Sequence, residues 1–169
     1  MESGEQERQS LWAPWRVEYF KKPVQAGFLE AAGREEARDA ENLVLVRRGF
    51  CFLMMNRYPY SVGHLMAVPY RKVGELEHLN EGERLEMWEL AVVGQRMLRV
   101  AIKAQGFNVG LNLGSCAGAG VADHLHLHIV PRWEGDHNFM PVLAGATVLS
   151  EGLDSLYERL LEALKTLEV

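Results

Sequence analysis

Three of the chain's six histidines fall within five positions, in the stretch HLHLHIVPRW that runs from His124 to Trp133. Alternation with period two is the pattern of a strand with one polar and one apolar face. It points His124, His126 and His128 one way and Leu125, Leu127 and Ile129 the other. The expectation is that the leucines enter the core and the histidines line a surface. Pro131 has no N–H for a ladder, so the strand is expected to end there or to continue only along an edge.

Same-face residues on a strand lie roughly 6.6 to 6.8 Å apart, which separates the backbones of His124 and His128 by about 13 Å. One metal ion therefore cannot take all three; a zinc site, with Zn–N bonds of about 2.1 Å, would draw on a His-x-His pair and a third ligand from elsewhere. A second reading is a hydrogen-bonded polar strand face without chemistry, although three aligned imidazoles are costly to desolvate. The third is nucleophilic catalysis on a phosphate. Neutral imidazole is available near pH 7 and its cation donates hydrogen bonds. The middle residue, His126, then attacks, and its neighbours on either side reach the phosphoryl oxygens and the leaving group. The loop GSCAGAGVA precedes the row. Its Gly114, Gly118 and Gly120 let backbone N–H groups turn inward toward an anion, as in phosphate nests.

At 169 residues and 48% hydrophobic content the chain reads as one soluble domain, residues 11–169, behind a flexible polar tail, residues 1–10. No run approaches the roughly 18 apolar residues of a membrane span, and the acidic start MESGEQERQS has no apolar signal region. A cytoplasmic setting is the default that follows. Cys51 and Cys116 stand in unrelated contexts, which gives neither a disulfide framework nor a cysteine zinc site; both read as buried thiols. A net charge of −5 argues against binding duplex nucleic acid but leaves room for a small anionic ligand.

The order of elements is α+β. A charged helix is expected over 28–40, then strands over 43–47, 50–55 and 64–69. A long helix follows, capped by Asn80 with Glu83 three residues on and running to about Gln105. Strands over 107–113 and 123–130 flank the glycine-rich loop, and a last helix covers about 152–167. Strands paired by hairpins, a long helix and two further strands imply an antiparallel sheet with helices on one side.

His124-Leu-His126-Leu-His128-Ile-Val130 resembles the His-φ-His-φ-His-φ-φ signature of the histidine triad (HIT) family. Upstream, NRYPYSVGHLMAVP is similar to that family's earlier block, and PRWEGDHNFMPV with the arm LWAPWR resembles its diadenosine tetraphosphate phosphorylase branch. The likeness spans nearly the whole chain. It implies a HIT-like antiparallel sheet with a long helix and a C-terminal helix packed on it, in a two-fold homodimer. It also implies a small-molecule nucleotide substrate, most directly a dinucleoside polyphosphate, cleaved at the α-phosphate through a nucleotidyl-histidine intermediate. The alternatives are an adenosine phosphoramidase-type hydrolase and a non-catalytic nucleotide- or metal-binding protein.

Carried over position by position, the resemblance makes His126 the nucleophile, with His124 and His128 holding phosphate oxygens or orienting it and His64 behind the row. Asn56 would bind the ribose hydroxyls, Met54 and Met66 would flank the base or simply fill the core, and Asn112 would meet a phosphate oxygen. Gly118, Ala119, Gly120 and Trp133 complete the expected substrate-binding set. No cofactor or protein-bound metal is required, though a divalent cation can accompany the polyphosphate; no membrane or duplex nucleic acid is involved. Arg16, Arg132, Trp133 and His137 offer donors for an acceptor phosphate, unless Trp12 and Trp15 only pack the arm and Arg132 only meets solvent. Gly94 is expected to let helices approach across the dimer. Two departures stand out. Many relatives place a Ser, Thr or Gln just before the triad, where this chain has Gly120 and Val121, so loop amides must do more. The N-terminal Cys-x-x-Cys of some relatives is replaced by AGFLEAAG, which excludes a zinc site of that kind.

Overall fold

The computed structural model describes residues 27–136 and 152–167. The tail 1–10, the arm with Trp12, Trp15 and Arg16, and His137 lie outside the described residues. In chain order the main elements are α1 (Phe28–Arg34), α2 (Asp39–Asn42), β1 (Val44–Arg47), β2 (Cys51–Met55) and β3 (Leu65–Pro69). After them come α3 (Glu81–Ile102), β4 (Gly106–Gly110), β5 (Leu127–Arg132) and α4 (Leu153–Lys165). The strands form a sheet in the order β1-β2-β3-β5-β4, every neighbouring pair antiparallel. The antiparallel α+β order is as expected, but the helices do not lie on one side only: α3 and α4 pack on the face of Leu53 and Leu65, and α1 covers the face of Phe52 and Met66, because both faces of these strands are apolar.

The helix expected over 28–40 is interrupted, and Arg47 shows why. Its guanidinium donates to the Ala32 and Gly33 carbonyls at 2.7 and 2.8 Å and pairs with Asp39 at 2.6 Å. Carbonyls at the end of α1, which a continuing helix would have used, are satisfied by a strand side chain instead. Asn80 starts α3 through the expected capping box: its side chain accepts from the Glu83 N–H at 2.9 Å, and Glu83 accepts from the Asn80 N–H at 2.9 Å. The apolar side of α3, with Met87, Leu90, Met97 and Leu98, packs on Leu53, Leu65, Leu127 and Ile129 of the sheet, and Leu156 and Leu160 of α4 join the same core. Gly94 serves this contact rather than a helix of a second copy. A Cβ there would meet Leu65 Cδ1 at 3.1 Å, so the glycine lets α3 lie close on β3.

The histidine strand differs from the expectation in two ways. It begins at Leu127, so His124 and His126 belong to the segment that leads into it. It passes Pro131 only along an edge, the second of the two expected outcomes: Pro131 pairs with Phe107 of β4, and pairing to β3 has already ended at Leu65 opposite Ile129. Pro131 is thus flanked on one side only, where its missing N–H costs no ladder bond. Finally, the histidines do take the face opposite Leu125, Leu127 and Ile129, but they do not line an open surface: His124, His126 and His128 are 0%, 8% and 7% exposed.

That second face has its own core. Leu29 and Ala32 of α1 cover Val44, Phe52, Met54, Met66 and Val68. Register places Val44, Met54, Met66, His128 and Gly110 in one row across five strands. β4 forms one edge of the sheet, and Leu85, Trp88 and Val92 stand exposed on α3. Cys51 is buried, as expected of a thiol in a strand, but Cys116 is exposed because its loop bulges from the sheet end. Among the described residues no helix is long and apolar enough to cross a membrane.

Candidate active site

Each histidine ring is held by a different partner, and together the partners fix where the protons sit. His126 Nδ1 lies 2.8 Å from the carbonyl oxygen of His124. A carbonyl only accepts, so Nδ1 carries the proton and Nε2 keeps its lone pair. On His64 the Tyr60 backbone N–H donates to Nδ1 at 3.1 Å, which leaves the proton on Nε2. That N–H meets His128 Nδ1 at 2.8 Å, and His128 in turn carries its proton on Nε2. One ring thus presents a lone pair and its neighbour an N–H, with centroids 4.7 Å apart and planes at 76°.

Burial keeps these rings neutral. It lowers the pKa of His64 to about 3, with the nearby His128 and His126 adding to the effect. It lowers that of His128 to about 4, with His126 adding. His126 is also pushed below the usual imidazole value by burial, partly opposed by its bond to the His124 carbonyl. Near pH 7 the lone pair on His126 Nε2 is therefore available for attack.

The other predicted residues separate into two groups. Asn112 and Asn56 come to the histidines. Asn112 Nδ2 stands 3.5 Å from His128 Nε2, from the Gly118 carbonyl and from the Tyr60 hydroxyl. Asn56 Oδ1 accepts from the Tyr58 N–H at 2.8 Å, and its Nδ2 is 3.4 Å from His64 Nδ1. Met54 and Met66 continue the His128 row into the second core, both 3% exposed. Gly114 and Gly118 adopt φ of 81° and 89°, which favours glycine, but the Gly118 and Ala119 amides bond back to Ser115 and Gly114 carbonyls within the loop. Gly120 follows directly.

His124 and Trp133 face elsewhere. The His124 ring donates from Nε2 to the Pro69 carbonyl at 2.8 Å, so what it offers His126 is its backbone oxygen. Its Nδ1 and Glu30 Oε2 are buried without hydrogen-bond partners, 3.9 Å apart. Trp133 donates from its indole to the Ile102 and Lys103 carbonyls at the end of α3, at 3.3 and 3.1 Å. Arg132 pairs with Asp136 at 2.6 Å and donates to Asn108 at 3.0 Å. It lies four strand residues beyond His128, about 13 Å away. Among the described residues no group of His, Cys, Asp and Glu side chains is arranged to hold a metal ion.

Sequence reasoning missed Tyr60. Its ring stacks on His64 with centroids 4.7 Å apart and lies 5.6 Å from that of His128. The only signal was an aromatic residue in a Pro/Gly loop four positions before a histidine, with no periodicity to single it out.

The arrangement agrees with what the chain is similar to. The family model described as HIT domain matches residues 37–135. The AP-4-A phosphorylase of Mycobacterium tuberculosis is 40% identical over 151 residues, covering 85% of this chain and 77% of the relative. The asymmetrical bis(5'-nucleosyl)-tetraphosphatase of Schizosaccharomyces pombe is 29% identical over 115 residues, 68% of this chain and 63% of the relative. Among solved structures, a zinc-bound histidine triad family protein from Mycobacterium smegmatis superposes with a TM-score of 0.61 at 22% identity, covering 73% of this chain and 84% of that one. A histidine triad nucleotide-binding protein from Sulfolobus tokodaii gives 0.59 at 25% identity, covering 73% and 83%. The chain belongs to the HIT domain family, as an enzyme of that family.

Proposed function

We propose that the enzyme cleaves dinucleoside polyphosphates such as diadenosine tetraphosphate at the α-phosphorus, and that inorganic phosphate is the acceptor. The observation that carries this reading is the bond between His126 Nδ1 and the His124 carbonyl, which leaves Nε2 as a nucleophile beside a proton-bearing His128 Nε2. His126 Nε2 forms a bond to the α-phosphorus as the bridging P–O bond breaks. The departing nucleoside polyphosphate keeps that oxygen and its electron pair, and the His128 N–H donates to it. A phosphate oxygen then displaces His126, which regains its lone pair, and a nucleoside diphosphate is released. Asn112 would meet a phosphate oxygen, Asn56 the ribose hydroxyls, and Met54 and Met66 the base side of the pocket.

The tetraphosphate substrate and the phosphate acceptor are supported by likeness to the M. tuberculosis AP-4-A phosphorylase. We further infer a two-fold homodimer working in the cytoplasm; the pair is supported by a β4 edge left unpaired among the described residues and by the exposed apolar Leu85, Trp88 and Val92, which together suit a second copy. No protein-bound cofactor enters the scheme; a divalent cation accompanies the polyphosphate at most. The test is chromatography of products from diadenosine tetraphosphate with and without millimolar phosphate. ADP with ATP is expected when phosphate is present. AMP with ATP at every phosphate concentration would make the enzyme a hydrolase, and turnover of an adenosine phosphoramidate alone would assign it to that activity instead.

A further inference from the structure

Tyr60 is anchored on two imidazoles. The residue is 45% exposed, and its ring packs on the pair of hydrogen-bonded imidazoles, His64 and His128. Its oxygen accepts from Asn112 Nδ2, the same atom that approaches His128 Nε2. A phenol oxygen that accepts still has its own O–H to give. Three polar groups, the His128 N–H, the Asn112 amide and the Tyr60 hydroxyl, thus stand together around His128, the ring beside His126 that donates to the leaving group in the proposed reaction.

The loop beside Asn112 offers little in their place. From Gly118 to Ala122 it reads Gly-Ala-Gly-Val-Ala and has no side-chain donor. The Gly118 and Ala119 amides are already bonded within the loop. A polyphosphate leaving the α-phosphorus takes negative charge onto the bridging oxygen and brings the non-bridging oxygens of the next phosphate with it, so donors placed there act where charge develops.

We propose that Tyr60 is a catalytic residue whose hydroxyl donates a hydrogen bond to a non-bridging oxygen of the departing polyphosphate. This rests on the function proposed above. It makes Tyr60 part of what selects a polyphosphate over a leaving group without phosphate oxygens.

The experiment uses the full chain, wild type and Tyr60→Phe, with two substrates: diadenosine tetraphosphate and the p-nitrophenyl ester of AMP. The second forms the same nucleotidyl-histidine but its leaving group has no phosphate oxygens. Tyr60→Phe keeps the stacked ring and removes only the hydroxyl. The expected result is a fall of about 10- to 100-fold in kcat/KM for the tetraphosphate, the size of one lost hydrogen bond to a charged group, and a change of less than about threefold for the ester. Equal losses on both substrates would overturn the proposal, because they would mean that the hydroxyl acts by orienting His64 or His128. An unchanged rate in Tyr60→Phe with a large loss in Tyr60→Leu would overturn it too, leaving only ring packing. Wild-type protein inert toward the tetraphosphate, with phosphate or water as acceptor, would overturn the function and this inference together; active wild type with an indifferent Tyr60→Phe overturns the inference alone.

Discussion

His64 Nε2 lies 2.8 Å from His128 Nδ1, inside the protein and away from any carboxylate hydrogen bond. The bond fits two neutral rings and is lost if both are protonated. Burial lowers both pKa values, to about 3 and about 4 from 6.5. The unfolded chain therefore binds more protons than the folded one between about pH 6.5 and 3, and this contribution to stability is complete above that window and drains away as pH falls through it, His128 ceasing to add to the loss near pH 4 and His64 near pH 3. Urea midpoints are expected to drop from about pH 6.5 downward, each histidine adding at most about 1.4 kcal/mol per pH unit. A variant with Gln at His64 should show a shallower fall. Equal slopes in both proteins would contradict the assignment.

His126→Asn should reduce turnover of diadenosine tetraphosphate by about 1000-fold or more, because it removes the attacking nitrogen. Nucleotide binding should persist, since the loop, Asn112 and the His64–His128 pair are untouched. Calorimetric titration beside a product assay separates the two effects. Residual activity of more than about a few per cent would rule out attack by this residue.

Asn80 tests how much the start of α3 depends on its cap. Asn80→Ala removes the acceptor for the Glu83 N–H, and its expected cost is about 1 kcal/mol. For a domain of this size that is roughly 2–4 °C in Tm. Activity at room temperature should be unchanged, because α3 lies on the opposite face of the sheet from the histidines. Scanning calorimetry and a product assay report on the two halves of the prediction.

Light scattering at micromolar protein should give twice the chain mass of 19.1 kDa. Trp88→Glu, which places a charge among the exposed apolar residues of α3, should shift the population toward monomer. A wild-type mass of one chain would contradict the two-fold pair.

Much of this was legible in residue order. Strict alternation from His124 to Ile129 assigned histidines and leucines to opposite faces, since successive strand side chains cannot point the same way. Asn80 and Glu83 marked the start of α3, a local interaction three residues long. The break in the first helix was not legible, because the group that ends it, Arg47, is held in place by pairing with β2. Nor was the role of Gly94 as the contact point of α3 on Leu65.

Residue order alone shows which rings share a face and which residues carry the family signature, because periodicity and motif spacing are properties of neighbours along the chain. How those rings are protonated depends on the folded chain. Two of the contacts that fix proton positions join segments far apart in sequence, His64 with His128 and His124 with the Pro69 carbonyl, while Tyr60 with His64 and His126 with the His124 carbonyl are near neighbours that only the folded backbone brings into hydrogen-bond geometry. The same holds for Tyr60, whose loop position carries no periodic signal and whose place beside Asn112 and His128 arises only when β3 and β5 pair. Local pattern fixes the direction of a side chain relative to its own strand; what it meets there depends on which strands and loops the fold brings alongside.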